Sequence, residues 1–125
     1  EATNKAGLEL NLCGKFQSVG LGQEILEEYN NVKYLGFLGR REISEILSNS
    51  SMGFVTLLYT YSYSMSYPIK LFEYMAAGIP VISSNFPVFK EIVEKNDCGI
   101  CVDPTDIQAI MEAVTYLVEH PAEAR

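Results

Sequence analysis

Apolar positions along this chain switch repeatedly between a period of two and a period near 3.6, and each switch marks a new element. Leu8-Glu-Leu-Asn-Leu-Cys13 alternates and stops at Gly14, the pattern of a strand with a turn behind it. Gly22 to Tyr29 then sets Ile25, Leu26 and Tyr29 on one helical side. Val32 to Phe37 reads as a second strand before Gly39, and Arg41 to Leu47 places Ile43, Ile46 and Leu47 at helical spacing. Gly53-Phe-Val-Thr-Leu-Leu58 runs continuous rather than alternating, as expected for a strand covered on both faces. The next helix carries its own punctuation: Pro68 suits a first turn, Gly78 lies just past the end, and Pro80 prevents continuation. Its expected buried side is Leu71, Phe72 and Met75, and Val81 and Ile82 open a short buried strand. Pro87 to Lys95 is a further helix with Val88, Ile92 and Lys95 aligned, and Gly99 to Val102 is the last strand. The closing helix has Thr105 and Gln108 placed as a capping box, followed by Ile107, Ile110, Met111, Val114, Leu117 and Val118.

Strands alternating with helices through short links predict βα units and a mostly parallel, Rossmann-like α/β sheet flanked by helices. Residues 1–125 form one domain, with no repeat or linker dividing them. In such sheets ligands bind beyond the carboxyl ends of the strands, which here gathers four loops on one rim: Gly14 to Ser18, Phe37 to Arg41, Tyr59 to Tyr67, and Ser83 to Pro87.

Composition narrows the classes. The chain is 48% hydrophobic, enough for a soluble globular core, and its net charge of −7 argues against a nucleic-acid surface because the nine Lys and Arg are scattered. Arg40-Arg41 and Lys15 are the local exceptions. No apolar run approaches the roughly 20 residues that span a bilayer, so the expected compartment is the cytoplasm. The chain opens on Glu1 rather than Met, the expectation for a piece of a longer protein. Cys98-Gly-Ile-Cys101 has CxxC spacing, yet no second pair completes a zinc set, and strand residues are the simpler reading. His120, at the end of the last helix, is expected in solvent.

The candidate chemistry lies on the helix after Pro68. Lys70, Glu73 and Tyr74 stand at i, i+3 and i+4, one face. A lysine in a first turn opposes the positive end of the helix dipole, a penalty of roughly 0.3–1 kcal/mol that a bound anion reverses. The alternative is an ordinary intrahelical Lys70–Glu73 pair. The tyrosines of Tyr59-Thr-Tyr61-Ser-Tyr63-Ser-Met-Ser-Tyr67 fit either a stacking surface for a base or sugar, or an extended strand.

The run Lys70-Leu-Phe-Glu73-Tyr-Met-Ala-Ala-Gly78-Ile-Pro80-Val resembles the donor-site helix of the retaining glycosyltransferases of family 4, the "group 1" family with the GT-B fold. Leu10-Asn-Leu-Cys-Gly14-Lys15, Val32-Lys-Tyr-Leu-Gly36-Phe-Leu38 and Cys98-Gly99-Ile-Cys-Val-Asp103-Pro104-Thr-Asp106 resemble further landmarks of that family's C-terminal domain, in order. The resemblance implies a domain that binds a nucleoside-diphosphate sugar, without a metal or cofactor, for transfer to a glycan or lipid-linked acceptor held by an N-terminal domain. Any membrane association would come through that other half. The implied donor contacts are Glu73 on the ribose, Ile69 and Lys70 on the pyrophosphate, Gly36, Phe37 and Leu38 near the nucleobase, and Gly14, Lys15, Ser66, Tyr67 and Pro68 along the rim.

The chain also departs from the family pattern. The usual first glutamate, separated from the second by seven intervening residues, falls on Met65, whose thioether cannot act as a carboxylate, so the catalytic set is not assigned. Tyr67-Pro68 replaces the usual Phe-Gly, and Pro68 has no N–H to offer a phosphate. Residues 1–7 do not resemble the family's opening strand; in a 3-2-1-4-5-6 order that strand is central, which predicts marginal stability for these residues alone. The rival reading is a non-catalytic α/β nucleotide-binding or scaffold module. A response-regulator-like site is disfavoured because no strand ends in an aspartate with acidic neighbours.

Overall fold

The computed structural model describes residues 8–13, 28, 31–36, 38–56 and 69–120. In chain order the elements are β1 (Leu10–Cys13), β2 (Val32–Gly36), α1 (Arg40–Ser48), β3 (Gly53–Val55), α2 (Ile69–Ala77), β4 (Val81–Ser84), α3 (Pro87–Asn96), β5 (Gly99–Val102) and α4 (Ile107–Glu119). The helix expected over Gly22 to Tyr29 lies outside the described residues apart from Glu28, which is helical.

All described strand pairs are parallel. Leu10 faces Val32 in the β1–β2 ladder, and the register shifts between Leu12 and Cys13. Gly53 faces Val81, and Val81 faces Gly99, in a second ladder ordered β3-β4-β5. Among the described residues no ladder joins the two, at the place where the six-strand order has its central strand. Leu8, just before β1, packs against the Ile82 and Val102 cluster of the three-stranded sheet, so β1 is the inner strand of its pair and β2 the outer.

Alternation along β4 divides the core. Val81 points into a cluster with Val55, Leu71, Phe86, Phe89 and Val93, closed by α2 and α3. Ile82 points the other way, into Val102, Ala113, Val114 and Leu117 beneath α4. Helices cover both faces, which is why every residue of β4 is buried and its sequence shows no polar alternation.

Helix ends follow their punctuation. Gly78 takes φ 74, its N–H donates to the Met75 carbonyl, and the Ile79 N–H donates to the Tyr74 carbonyl, a Schellman cap. Several faces differ from the sequence expectation. Phe72 is 44% exposed while Leu71 is fully buried. On α3 the buried pair is Phe89 and Val93, with Val88 and Ile92 flanking and Lys95 exposed. The α4 N-cap is Asp106, whose carboxylate accepts from the Ala109 N–H at 3.1 Å. Thr105 instead donates its N–H and hydroxyl to Asp103, and Gln108 reaches Glu112, so no Thr105–Gln108 capping box forms. His120 is half-buried rather than free in solvent, stacked on Tyr116 with ring centroids 4.2 Å apart. Among the described residues no helix is long and apolar enough to cross a membrane.

Candidate functional site

A cleft of about 600 Å3 opens between α1 and α2. Its α1 wall is Arg40, Ile43, Ser44, Leu47 and Ser48, one face at helical spacing, and its α2 wall is Lys70, Glu73, Ala76 and Ala77. Leu38, from the β2–α1 link, closes one end. The two helices begin at the carboxyl ends of β2 and β3, so their first turns, with Arg40 and Lys70, stand on the rim where α/β sheets bind ligands. The volume lies within the roughly 300–1,000 Å3 of small-molecule pockets.

The orientation of α2 sets this wall. Leu71 is fully buried, Tyr74 and Met75 pack on the same core, and Gly53 on β3 has no side chain, so the Tyr74 ring lies where a Cβ would stand, 2.5 Å away. Turning Tyr74 inward leaves Lys70 and Glu73 facing α1. Tyr74 therefore does not share their face, contrary to the spacing argument. At the rim end of β4, Ser83 and Ser84 are fully buried: Ser83 Oγ donates to the Ser84 carbonyl at 3.0 Å, and Ser84 Oγ to the Val55 carbonyl at 3.3 Å, tying β4 to β3.

Among the described residues the charges in the cleft have no ion-pair partner. Among the described residues the ion pairs are Arg41–Glu45 and Lys90–Glu94, both at 3.9 Å and both exposed. Arg40, Lys70 and Glu73 take part in none, so the intrahelical Lys70–Glu73 pair is not formed. Two cations and one carboxylate thus face one cleft in a chain of net charge −7.

Of the expected donor residues, Glu73, Lys70 and Leu38 line the cleft. Ile69 begins α2 with 74% of its surface exposed, and Gly36 ends β2. Gly14, Lys15, Phe37, Ser66, Tyr67 and Pro68, with Met65 and the rest of the tyrosine loop, lie outside the described residues. Sequence reasoning put Arg40 on the rim without assigning it a contact and missed Ser44 as a cleft residue. Their i, i+4 spacing with Leu47 at i+7 was the available signal, but nothing in α1 alone says which face meets α2.

Cys98 and Cys101 do not line this cleft. Cys98 follows α3, Cys101 lies in β5, and both pack against the α2–α3 core. Burial raises the Cys98 thiol and pushes Cys101 from 9.0 up to about 11, with Glu94 adding to the latter, so at neutral pH both are protonated and poor nucleophiles.

Comparison with known proteins places this geometry. Over 93 residues the chain is 30% identical to the amylovoran biosynthesis glycosyltransferase AmsK of Erwinia amylovora, a match covering 74% of this chain and 23% of that protein. The fold superposes on the sucrose-phosphate synthase of Thermosynechococcus elongatus with a TM-score of 0.79 and 23% identity, covering 99% of this chain and 33% of that one. The matched part thus spans 23% of the length of the first protein and 33% of the second. The profile of the family described as "Glycosyl transferases group 1" matches residues 6–125, and the chain belongs to that family, with a Rossmann-like GT-B sheet.

Proposed function

We propose that this chain is the donor-binding part of a retaining glycosyltransferase and holds a nucleoside-diphosphate sugar at the α1–α2 cleft. The observation that carries the reading is Glu73 beside Lys70 in a cleft of ligand size, neither of them ion-paired among the described residues. A carboxylate accepts hydrogen bonds from both hydroxyls of a ribose through its two oxygens. The first-turn amides of α2, at Ile69 and Lys70, together with the helix dipole, suit the pyrophosphate, and the Lys70 ammonium adds a charge-assisted contact. Gly36 and Leu38 at the end of β2 stand at the nucleobase end, and no metal is required of any described group.

In this reading the remainder of the full-length protein supplies the acceptor site for a glycan or lipid-linked sugar and the groups that stabilise the departing diphosphate. A parallel strand from outside the described residues fits between β1 and β3. The likeness to a protein named for amylovoran biosynthesis supports polysaccharide synthesis as the setting. Met65, in the place of the first signature glutamate, favours one second reading, a domain that binds nucleotide without transferring sugar.

Calorimetric titration of the full-length protein with UDP, GDP, ADP and CMP, beside the Glu73→Ala variant, tests the site. The expected result is binding of one nucleotide, weakened about tenfold, or about 1.4 kcal/mol, in the variant. A folded protein that binds none of them would leave α2 as architecture and return the non-catalytic module to the lead.

A further inference from the structure

Arg40 is the charged cleft residue for which the donor-binding reading gives no role, and its place in the fold gives it one. We propose that the Arg40 guanidinium recognises the nucleobase, and that it selects donors whose base carries a keto group, uracil or guanine, over the amino bases cytosine and adenine. The inference rests on the nucleotide-binding reading of the same cleft.

Position comes first. α1 starts from β2, the outer strand of its ladder, whereas α2 starts from β3, beside the point where the two ladders part. Ligands of α/β sheets centre on such a switch point. A nucleotide with its diphosphate at the first turn of α2 and its ribose at Glu73 therefore extends its base outward, toward α1. On that wall Arg40 is the one cation lining the cleft, and Leu38, Ile43 and Leu47 offer apolar contact for a flat ring.

Chemistry then restricts the base. A guanidinium has five N–H donors and no acceptor. It matches the O6 and N7 acceptors of guanine or the O4 acceptor of a uracil-type ring, and it meets the N6 amino group of adenine or the N4 amino group of cytosine donor to donor. Among the described residues Arg40 has no ion pair, and its neighbour Arg41 carries the local one with Glu45. The contrast between two adjacent arginines, Arg41 paired with Glu45 on the outside and Arg40 lining the cleft, is the internal control.

The test measures UDP against CDP and GDP against ADP on the full-length protein, with Arg40→Met, Arg41→Met and Glu73→Ala variants of unchanged melting temperature. Expected is a preference of about tenfold or more for one keto nucleotide over its amino partner. That preference should largely disappear in Arg40→Met and persist in Arg41→Met. An amino nucleotide bound as well as its keto partner, or a preference that survives Arg40→Met, overturns the inference; the cleft reading still stands if Glu73→Ala weakens every nucleotide. Failure of the wild-type protein to bind any of the four overturns both.

Discussion

Two pairs of adjacent residues decide what the cleft is. Glu73 and Tyr74 lie about 100° apart around α2, and the tyrosine takes the inward direction because Gly53 leaves room for its ring. Arg40 and Arg41 divide in the same way, one to the cleft and one to Glu45. The Gly53–Tyr74 contact is testable as a unit. A Cβ at Gly53 would stand 2.5 Å from the Tyr74 ring, with β3 and α2 both packed behind their side chains, so neither has an easy retreat. Gly53→Ala is expected to cost about 1–3 kcal/mol by overpacking. The same change in a Tyr74→Ala background should cost much less, since the volume it needs has been vacated. Urea melts of the four proteins in the cycle give the coupling, and additive costs would show that the ring does not occupy the space that Gly53 leaves.

At the scale of the element, α2 and α3 end alike. Each closes with a left-handed residue and paired carbonyl bonds, from Gly78 and Ile79 in one case and from Asp97 and Cys98 in the other. The difference is that Asp97 carries a side chain at φ 48, where glycine meets no Cβ penalty. Asp97→Gly is therefore expected to stabilise the fold by about 0.5–1 kcal/mol, less what glycine adds to the freedom of the unfolded chain. A thermal melt showing destabilisation would mean that the aspartate makes a compensating contact. These ends were legible in the sequence for a physical reason, since proline and glycine restrict or free the backbone whatever surrounds them. Faces were legible only where one stripe was unambiguous. On α2 every position from Leu71 to Ala77 except Glu73 is apolar or aromatic, so its own sequence does not rank Phe72 below Tyr74; the neighbouring α1 and the absent side chain of Gly53 do. The cap of α4 slipped by one residue because Asp103 offered Thr105 a nearer partner.

For the whole molecule the informative feature is that the parallel order was readable from the alternation of elements, whereas the cleft was not. It forms between helices that follow strands of different ladders, and no local pattern encodes that meeting. The same division into ladders predicts how protection against hydrogen exchange should be distributed in the 125-residue chain taken alone. β4 is bonded on both sides and buried throughout, so its amides should exchange last, together with those of β5 that pair with it. β1 is bonded on one side among the described residues, and β2 exposes Lys33 and Tyr34, so this ladder should open at lower free energy and exchange first. A strand seated between β1 and β3 would raise protection in both while leaving β4 nearly unchanged, since β4 already has two neighbours. Equal protection of β1 and β4 in the isolated chain would show that the sheet closes without that strand, and the division into two ladders would then not limit its stability.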